Sequence, residues 1–141
     1  MVFRLIYLST ASKDISTEVL KEIFDRAREN NQRDGITGLT AFHRFSFIQV
    51  LEGPKPAVKA CFDRIKVNPH HHGITIVWED DGTERLFEDY AMAYVEVSDA
   101  EKKRFARNKD LRDLFDASLA ERISQDLATQ SYFSTFLDSD R

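Results

Sequence analysis

Two polar side chains stand where the surrounding pattern is apolar, and a third residue supplies another amide. In Ser46-Phe47-Ile48-Gln49-Val50-Leu51, strand alternation puts Gln49 in one row with Phe47 and Leu51. In the opening run Met1-Val2-Phe3-Arg4-Leu5-Ile6-Tyr7, Tyr7 shares a row with Phe3 and Leu5. Asn31 stands at the end of an amphipathic segment. A carboxamide withdrawn from water needs partners for one acceptor and two donors. Without them burial costs roughly a few kcal/mol. A buried phenol needs one partner. The demand can be met in two ways. Tyr7 and Gln49 satisfy one another, or one reaches the sheet edge; alternatively these groups line a ligand site.

Other chemistry is sparse. His70-His71-His72 is the metal-like cluster. Adjacent loop residues rarely place three imidazoles around one ion, and no carboxylate sits at a ligand-like helical spacing. A solvated turn after Pro69 is the expectation, with no metal. No nucleophile elbow, Walker-type phosphate loop or Gly-x-Gly-x-x-Gly occurs. Gly35-Ile36-Thr37-Gly38 is too short for any of these and reads as a turn before a close-packed strand. The one cysteine, Cys61, excludes an internal disulfide and a cysteine-built zinc site. Its apolar helical position reads as core.

The elements that position these groups follow from periodicity. Val2 to Ser9 alternates as a strand, with Phe3, Leu5 and Tyr7 on one face and Arg4, Ile6 and Leu8 on the other. Both faces are largely apolar, so the sheet is expected to be covered on both sides. Asp14 or Ser16 caps a helix running to about Asn31, with Val19, Leu20, Ile23, Phe24 and Ala27 inward. Arg26 falls on its polar side. Ile36–Phe42 and Ser46–Leu51 read as a hairpin. Pro56 opens a second helix carrying Val58, Cys61, Phe62 and Ile65, and Pro69 stops it.

Ile74–Trp78 reads as a fourth strand, Asp80-Asp81-Gly82 as a turn, Leu86–Asp89 as a link and Ala91–Val97 as a fifth strand. Beyond Val97 the composition turns helical, with a cap at Ser98 or Asp99. Leu111, Phe115, Leu119, Ile123 and Leu127 recur every four residues, joined by Leu114, and Phe133, Phe136 and Leu137 follow. The order is β-α-β-β-α-β-β, then helices. This is an α+β, ferredoxin-like pattern, a five-stranded mixed sheet with two helices on one face. The C-terminal helices are the expected cover for the other. Residues 1–97 form the sheet domain and 98–141 the helical extension.

The chain has 141 residues and a formal charge of −4, with 20 Lys and Arg against 24 Asp and Glu. That fits one folding unit with a real core. The mild acidity gives no electrostatic footprint for nucleic acid. No apolar run is long enough to cross a bilayer, and the N-terminus lacks a signal peptide's basic start. A cytoplasmic protein is expected, with no direct nucleic-acid or membrane partner.

Several of these segments together resemble the BLUF family of flavin-using blue-light receptors. The resemblance lies in Leu5-Ile6-Tyr7-Leu8-Ser9, Ala27-Arg28-Glu29-Asn30-Asn31, Gly35-Ile36-Thr37-Gly38-Leu39 and Phe47-Ile48-Gln49-Val50-Leu51-Glu52-Gly53. It continues through Phe62-Asp63-Arg64-Ile65, His71 and Glu84-Arg85-Leu86-Phe87 to Tyr90-Ala91-Met92. The helical tail is similar to that of short, single-domain members.

The resemblance implies a flavin, FAD in the family, with FMN or riboflavin as forms that recombinant protein can load. Ile23 and Ile65 would sandwich the ring from the two helices. Asn31 would bond its polar edge, and Gln49, beside Phe47, would bridge Tyr7 and the ring. Arg28, Arg64, His71 and Asn30 would stand near the ribityl and phosphate end. Asn68 and His70 depart from the residues usual in relatives there. Tyr7 would donate an electron and a proton on illumination, and Gln49 would rearrange its hydrogen bonds. Tyr90 and Met92 would carry the signal onward.

The implied protein is no enzyme. It self-associates and acts on a separate output protein, such as a cyclic-dinucleotide phosphodiesterase or a transcriptional regulator. The rival readings are a small ligand-sensing module without photochemistry and an acylphosphatase-like hydrolase. The hydrolase needs an arginine in the first loop, and Ser9-Thr10-Ala11-Ser12-Lys13 has none.

Overall fold

The computed structural model describes residues 2–12 and 15–138. Its strands are β1 Val2–Ala11, β2 Thr37–His43, β3 Ser46–Gly53, β4 His71–Thr83 and β5 Ala93–Glu96. They form one sheet in the order β4-β1-β3-β2-β5. β1 runs antiparallel to β3 and β4, and β2 antiparallel to β3 but parallel to β5. This is the ferredoxin-like α+β arrangement with a fifth strand added at one edge. The helices are α1 Thr17–Asp34, α2 Lys55–Lys66, α3 Asp99–Asn108, α4 Ala117–Ser124 and α5 Leu127–Asp138, with a 3-10 turn at Leu111–Asp113.

The sheet separates two cores, as two apolar strand faces require. On one side Phe3, Leu5, Tyr7, Phe47 and Leu51 pack with Leu20 and Phe24 of α1 and Val58, Cys61 and Phe62 of α2. On the other, Ile6, Leu39, Ala41, Ile48 and Val50 pack with Phe105, Phe115, Leu119, Ile123, Phe133 and Leu137 of the C-terminal helices.

α1 begins at Ser16, whose hydroxyl accepts from the Val19 N–H at 3.2 Å. The alternative cap, Asp14, lies outside the described residues. The helix ends three residues beyond the expected Asn31, because Asp34-Gly35 forms its C-cap. Gly35 takes the left-handed conformation at φ 71°, and the Ile36 N–H closes onto the Asn31 carbonyl at 2.9 Å. Asn31 thereby sits inside the last turns and is buried. Val19, expected inward, is exposed.

Further expectations need correction. β4 is far longer than Ile74–Trp78. Asp80 and Asp81 are not a turn; they pair with Arg4 and Phe3, and register shifts let this edge strand follow β1. His71 and His72, expected in a turn, begin β4 opposite Ala11 and Thr10. β5 starts at Ala93 rather than Ala91, because side chains of α1 take the Ala91 and Met92 carbonyls. The C-terminal stripe runs through several short helices. Asp110, Asp116 and Asp126 each cap a new turn by accepting from the N–H of Arg112, Leu119 and Thr129. Leu111 to Ile123 are buried at the expected positions, but Leu127 opens α5 with 79% of its surface exposed.

Candidate functional site

Tyr7, Gln49 and Thr40 lie in one row across three neighbouring strands, since β3 Gln49 is opposite Tyr7 of β1 and Thr40 of β2. All three point to the α1–α2 face. The phenol of Tyr7 donates to Gln49 Oε1. Tyr7 is 2% exposed and Gln49 7%. Burial pushes the Tyr7 phenol far above its ordinary pKa, and the Cys61 thiol beside it adds to the shift. Tyr7 is therefore a neutral hydrogen-bond donor.

The other end of the Gln49 carboxamide turns to Met92. Nε2 donates to Met92 Sδ at 3.5 Å, and Thr40 Oγ1 donates to the same sulfur at 3.3 Å. A thioether is a weak acceptor, and an amide nitrogen carries two N–H groups. The pair thus satisfies the phenol fully and the carboxamide in part. Asn31 Nδ2 donates to the Ala91 carbonyl at 2.8 Å, and the Cys61 sulfur lies 4.0 Å from Asn31 Oδ1.

Tyr7, Gln49, Asn31 and Cys61 form the inner wall of a cavity of about 210 Å³ between α1, α2 and the sheet. Ile23, Phe24, Ala27, Phe47 and Ile65 supply its apolar sides. Arg26, Asn30, Arg64, Asn68, His70 and His71 line the rest. Arg64 also reaches Asp34 at 3.3 Å. His71 Nδ1 lies 3.1 Å from Ser9 Oγ, and its ring meets Phe47 edge-on at 5.9 Å. Burial pulls the His71 imidazole below its ordinary pKa, opposed by a bond to the backbone of Ile65 and helped by the neighbouring histidines. Among the described residues, no group of three His, Cys, Asp or Glu side chains is disposed to hold a metal.

Of the residues expected around a flavin, the cavity brings together Tyr7, Ile23, Asn30, Asn31, Phe47, Gln49, Arg64, Ile65 and His71. Arg28 is elsewhere. Its Nε donates to the Met92 carbonyl at 2.9 Å, Nη1 to Asp25 at 3.0 Å, and its guanidinium covers the Tyr94 ring at 5.3 Å. Helix phase explains the exchange. At about 100° per residue, Arg28 lies about 140° from Ile23 around α1, whereas Arg26 lies about 60° away. Arg26 was thus findable from spacing to Ile23 and Asn30. Tyr90 and Met92 also part company. Met92 packs in the site's core, and Tyr90 packs against the C-terminal helices.

Gly38 allows the close approach behind the site. A Cβ there would lie 2.0 Å from the Val50 carbonyl oxygen, and its N–H donates to the Tyr90 carbonyl at 3.0 Å.

The donor set fits a flavin. A flat apolar ring with a polar edge suits two isoleucines facing each other across a cleft that ends in two carboxamides. Gln49, with N–H capacity to spare, lines that cleft, and Arg26 and Arg64 suit an anionic tail. No helix among the described residues is long and apolar enough to cross a membrane.

The sequence and the fold are similar to those of known proteins. Residues 2–93 match the family model described as BLUF, sensors of blue-light using FAD. The chain is 27% identical over 138 residues to the blue light- and temperature-regulated antirepressor BluF of Escherichia coli (strain K12), covering 97% of this chain and 33% of that protein. It thus spans about a third of that relative's length. The dark-state structure of BlrB, a BLUF protein, superposes with a TM-score of 0.69 at 27% identity, over 88% of this chain and 96% of that one. Klebsiella pneumoniae BlrP1 with FMN and cyclic diGMP superposes with a TM-score of 0.74 at 26% identity, over 97% and 34%.

Proposed function

The chain belongs to the BLUF family, sensors of blue light that bind flavin, and on that premise we propose that Tyr7 and Gln49 are its light-responsive pair. The observation that carries this reading is the phenol donating to a carboxamide at the closed end of the cleft. A bound flavin supplies a blue-absorbing ring that is a strong one-electron oxidant when excited. Tyr7 holds its proton on the oxygen until oxidised, and Gln49 Oε1 stands as the acceptor. The Gln49 carboxamide then has two orientations to choose between. One gives Oε1 to Tyr7 and Nε2 to Met92; the other reverses them. The choice alters what the amide offers to the cleft and what it offers to Met92.

Ile23 and Ile65 clamp the ring, with Phe47 beside it and Asn31 at its polar edge. Asn30, Arg64, His71 and, in place of Arg28, Arg26 take the sugar and phosphate end. Two guanidiniums there support a phosphorylated flavin, FAD first, with FMN as the alternative that BlrP1 carries. Residues 1–97 are the sensor and 98–141 a C-terminal extension whose described helices pack on the sheet. The output is a separate protein. The antirepressor relative favours a transcriptional regulator, and the cyclic-diGMP relative a cyclic-dinucleotide enzyme. A homo-oligomer is the proposed state.

The test is spectroscopic. The purified protein, loaded with FAD, is expected to show a flavin spectrum that moves to longer wavelength under blue light and returns in darkness. Tyr7→Phe keeps the pigment and loses the shift. A shift retained in Tyr7→Phe overturns the assignment.

A further inference from the structure

The segment from Glu84 to Met92 joins β4 to β5 and is held from several sides, including the Gly38 N–H of β2 on the Tyr90 carbonyl and Arg4 of β1 on the Glu84 carbonyl. Glu52 of β3, fully buried, accepts from the Leu86 N–H at 2.9 Å and the Phe87 N–H at 2.6 Å. From the site side, Asn31 and Arg28 hold the Ala91 and Met92 carbonyls, and Gln49 touches the Met92 sulfur. From the C-terminal side, Arg122 of α4 holds the other end. Its Nη1 donates to the Leu86 carbonyl at 3.0 Å, its Nη2 to Asp89 at 2.9 Å, and its guanidinium covers the Tyr90 ring at 5.4 Å.

α5 is tied differently. Asp126, its cap, lies 3.5 Å from Arg4 of β1, and Arg4 lies 3.5 Å from Glu52. α5 is therefore referenced to β1 through Arg4, which also donates to the Glu84 carbonyl at the start of the strap, and α4 to the stretch from Leu86 to Tyr90. A shift of that stretch moves α4 relative to α5.

The geometry points to Arg122 as the residue that couples the site to the C-terminal helices, through its grip on Leu86, Asp89 and Tyr90. The inference rests on the photoreceptor reading above and adds a named positioning residue to it. A change at Gln49 reaches Met92 directly, passes along six residues of main chain to Leu86, and meets the guanidinium there. Arg122 does not touch the cleft, so it affects neither pigment nor photochemistry.

The test compares amide hydrogen exchange in α4, dark against blue light, on the flavin-loaded full chain. The wild type is expected to change exchange in 117–124 at least threefold on illumination. Arg122→Met keeps a long apolar stem over Tyr90 and removes the bonds. It should retain the absorption shift and dark recovery but lose the light-minus-dark difference in α4. A purely structural staple would raise exchange equally in dark and light, leaving that difference intact; this result overturns the inference. Should Arg122→Met misfold, Asp89→Asn weakens the grip from the exposed side. It should cut the difference by about half, and an unchanged difference overturns the inference. A wild type that shifts its spectrum without a response in α4 overturns the coupling alone. A wild type that binds flavin and never shifts overturns the photoreceptor reading and the coupling together.

Discussion

Tyr7 and Gln49 are directly opposed in the antiparallel β1–β3 register, and the phenol donates across the strand pair to the carboxamide oxygen. Strand pairing itself therefore sets the geometry of the candidate photochemical pair. Opposed residues lie within roughly 5 Å at Cβ. Thr40, opposed to Gln49 from the other side, and Met92 complete the surround.

Asn31 serves two ends at once, the cleft and the Ala91 carbonyl. Asn31→Ala removes both and leaves a part-buried carbonyl without that donor. Flavin affinity is expected to fall about tenfold, equivalent to about 1.4 kcal/mol. Titration of the apoprotein with FAD, followed by flavin fluorescence, measures it. Unchanged affinity would remove Asn31 from the binding site.

Gly38 has no room for a side chain. Gly38→Ala places a methyl 2.0 Å from a backbone oxygen, so β2 must move away from β3. A loss of at least about 2 kcal/mol is expected, read as a lower midpoint in urea denaturation. A midpoint equal to wild type would contradict the close approach.

His71 makes stability depend on pH. Its ordinary value is 6.5, and burial lowers it in the folded chain. The unfolded chain therefore binds the proton first as pH falls, so stability drops as the solution passes below about 6.5. It is regained on raising the pH. His71→Gln should flatten this part of the profile of melting temperature against pH. An equally steep profile in the variant would assign the slope to another group.

Much of this was legible in the sequence. Gln49 and Tyr7 stood out because alternation placed each in an apolar row; helical spacing put Ile23 and Ile65 inward, and only the resemblance to the BLUF family implied a flavin between them. The rest depended on partners far away in the chain. β5 begins late because Asn31 and Arg28, about sixty residues earlier, occupy its first carbonyls. The C-terminal helices break without glycine or proline because aspartates cap each new turn, and an unbroken four-residue spacing hid those breaks. Arg4 and Glu52 gave an alternation pattern no reason to pair, yet they are register partners and both buried. Arg26 replaced Arg28 at the cleft through a two-residue difference in helix phase.

The most direct measurement is the absorption spectrum of the flavin-loaded protein before and after blue light, in wild type and Gln49→Leu. The account predicts a reversible shift to longer wavelength in the wild type and flavin binding without that shift in the variant. A wild-type spectrum that stays fixed under illumination, or a variant that shifts as the wild type does, would contradict it.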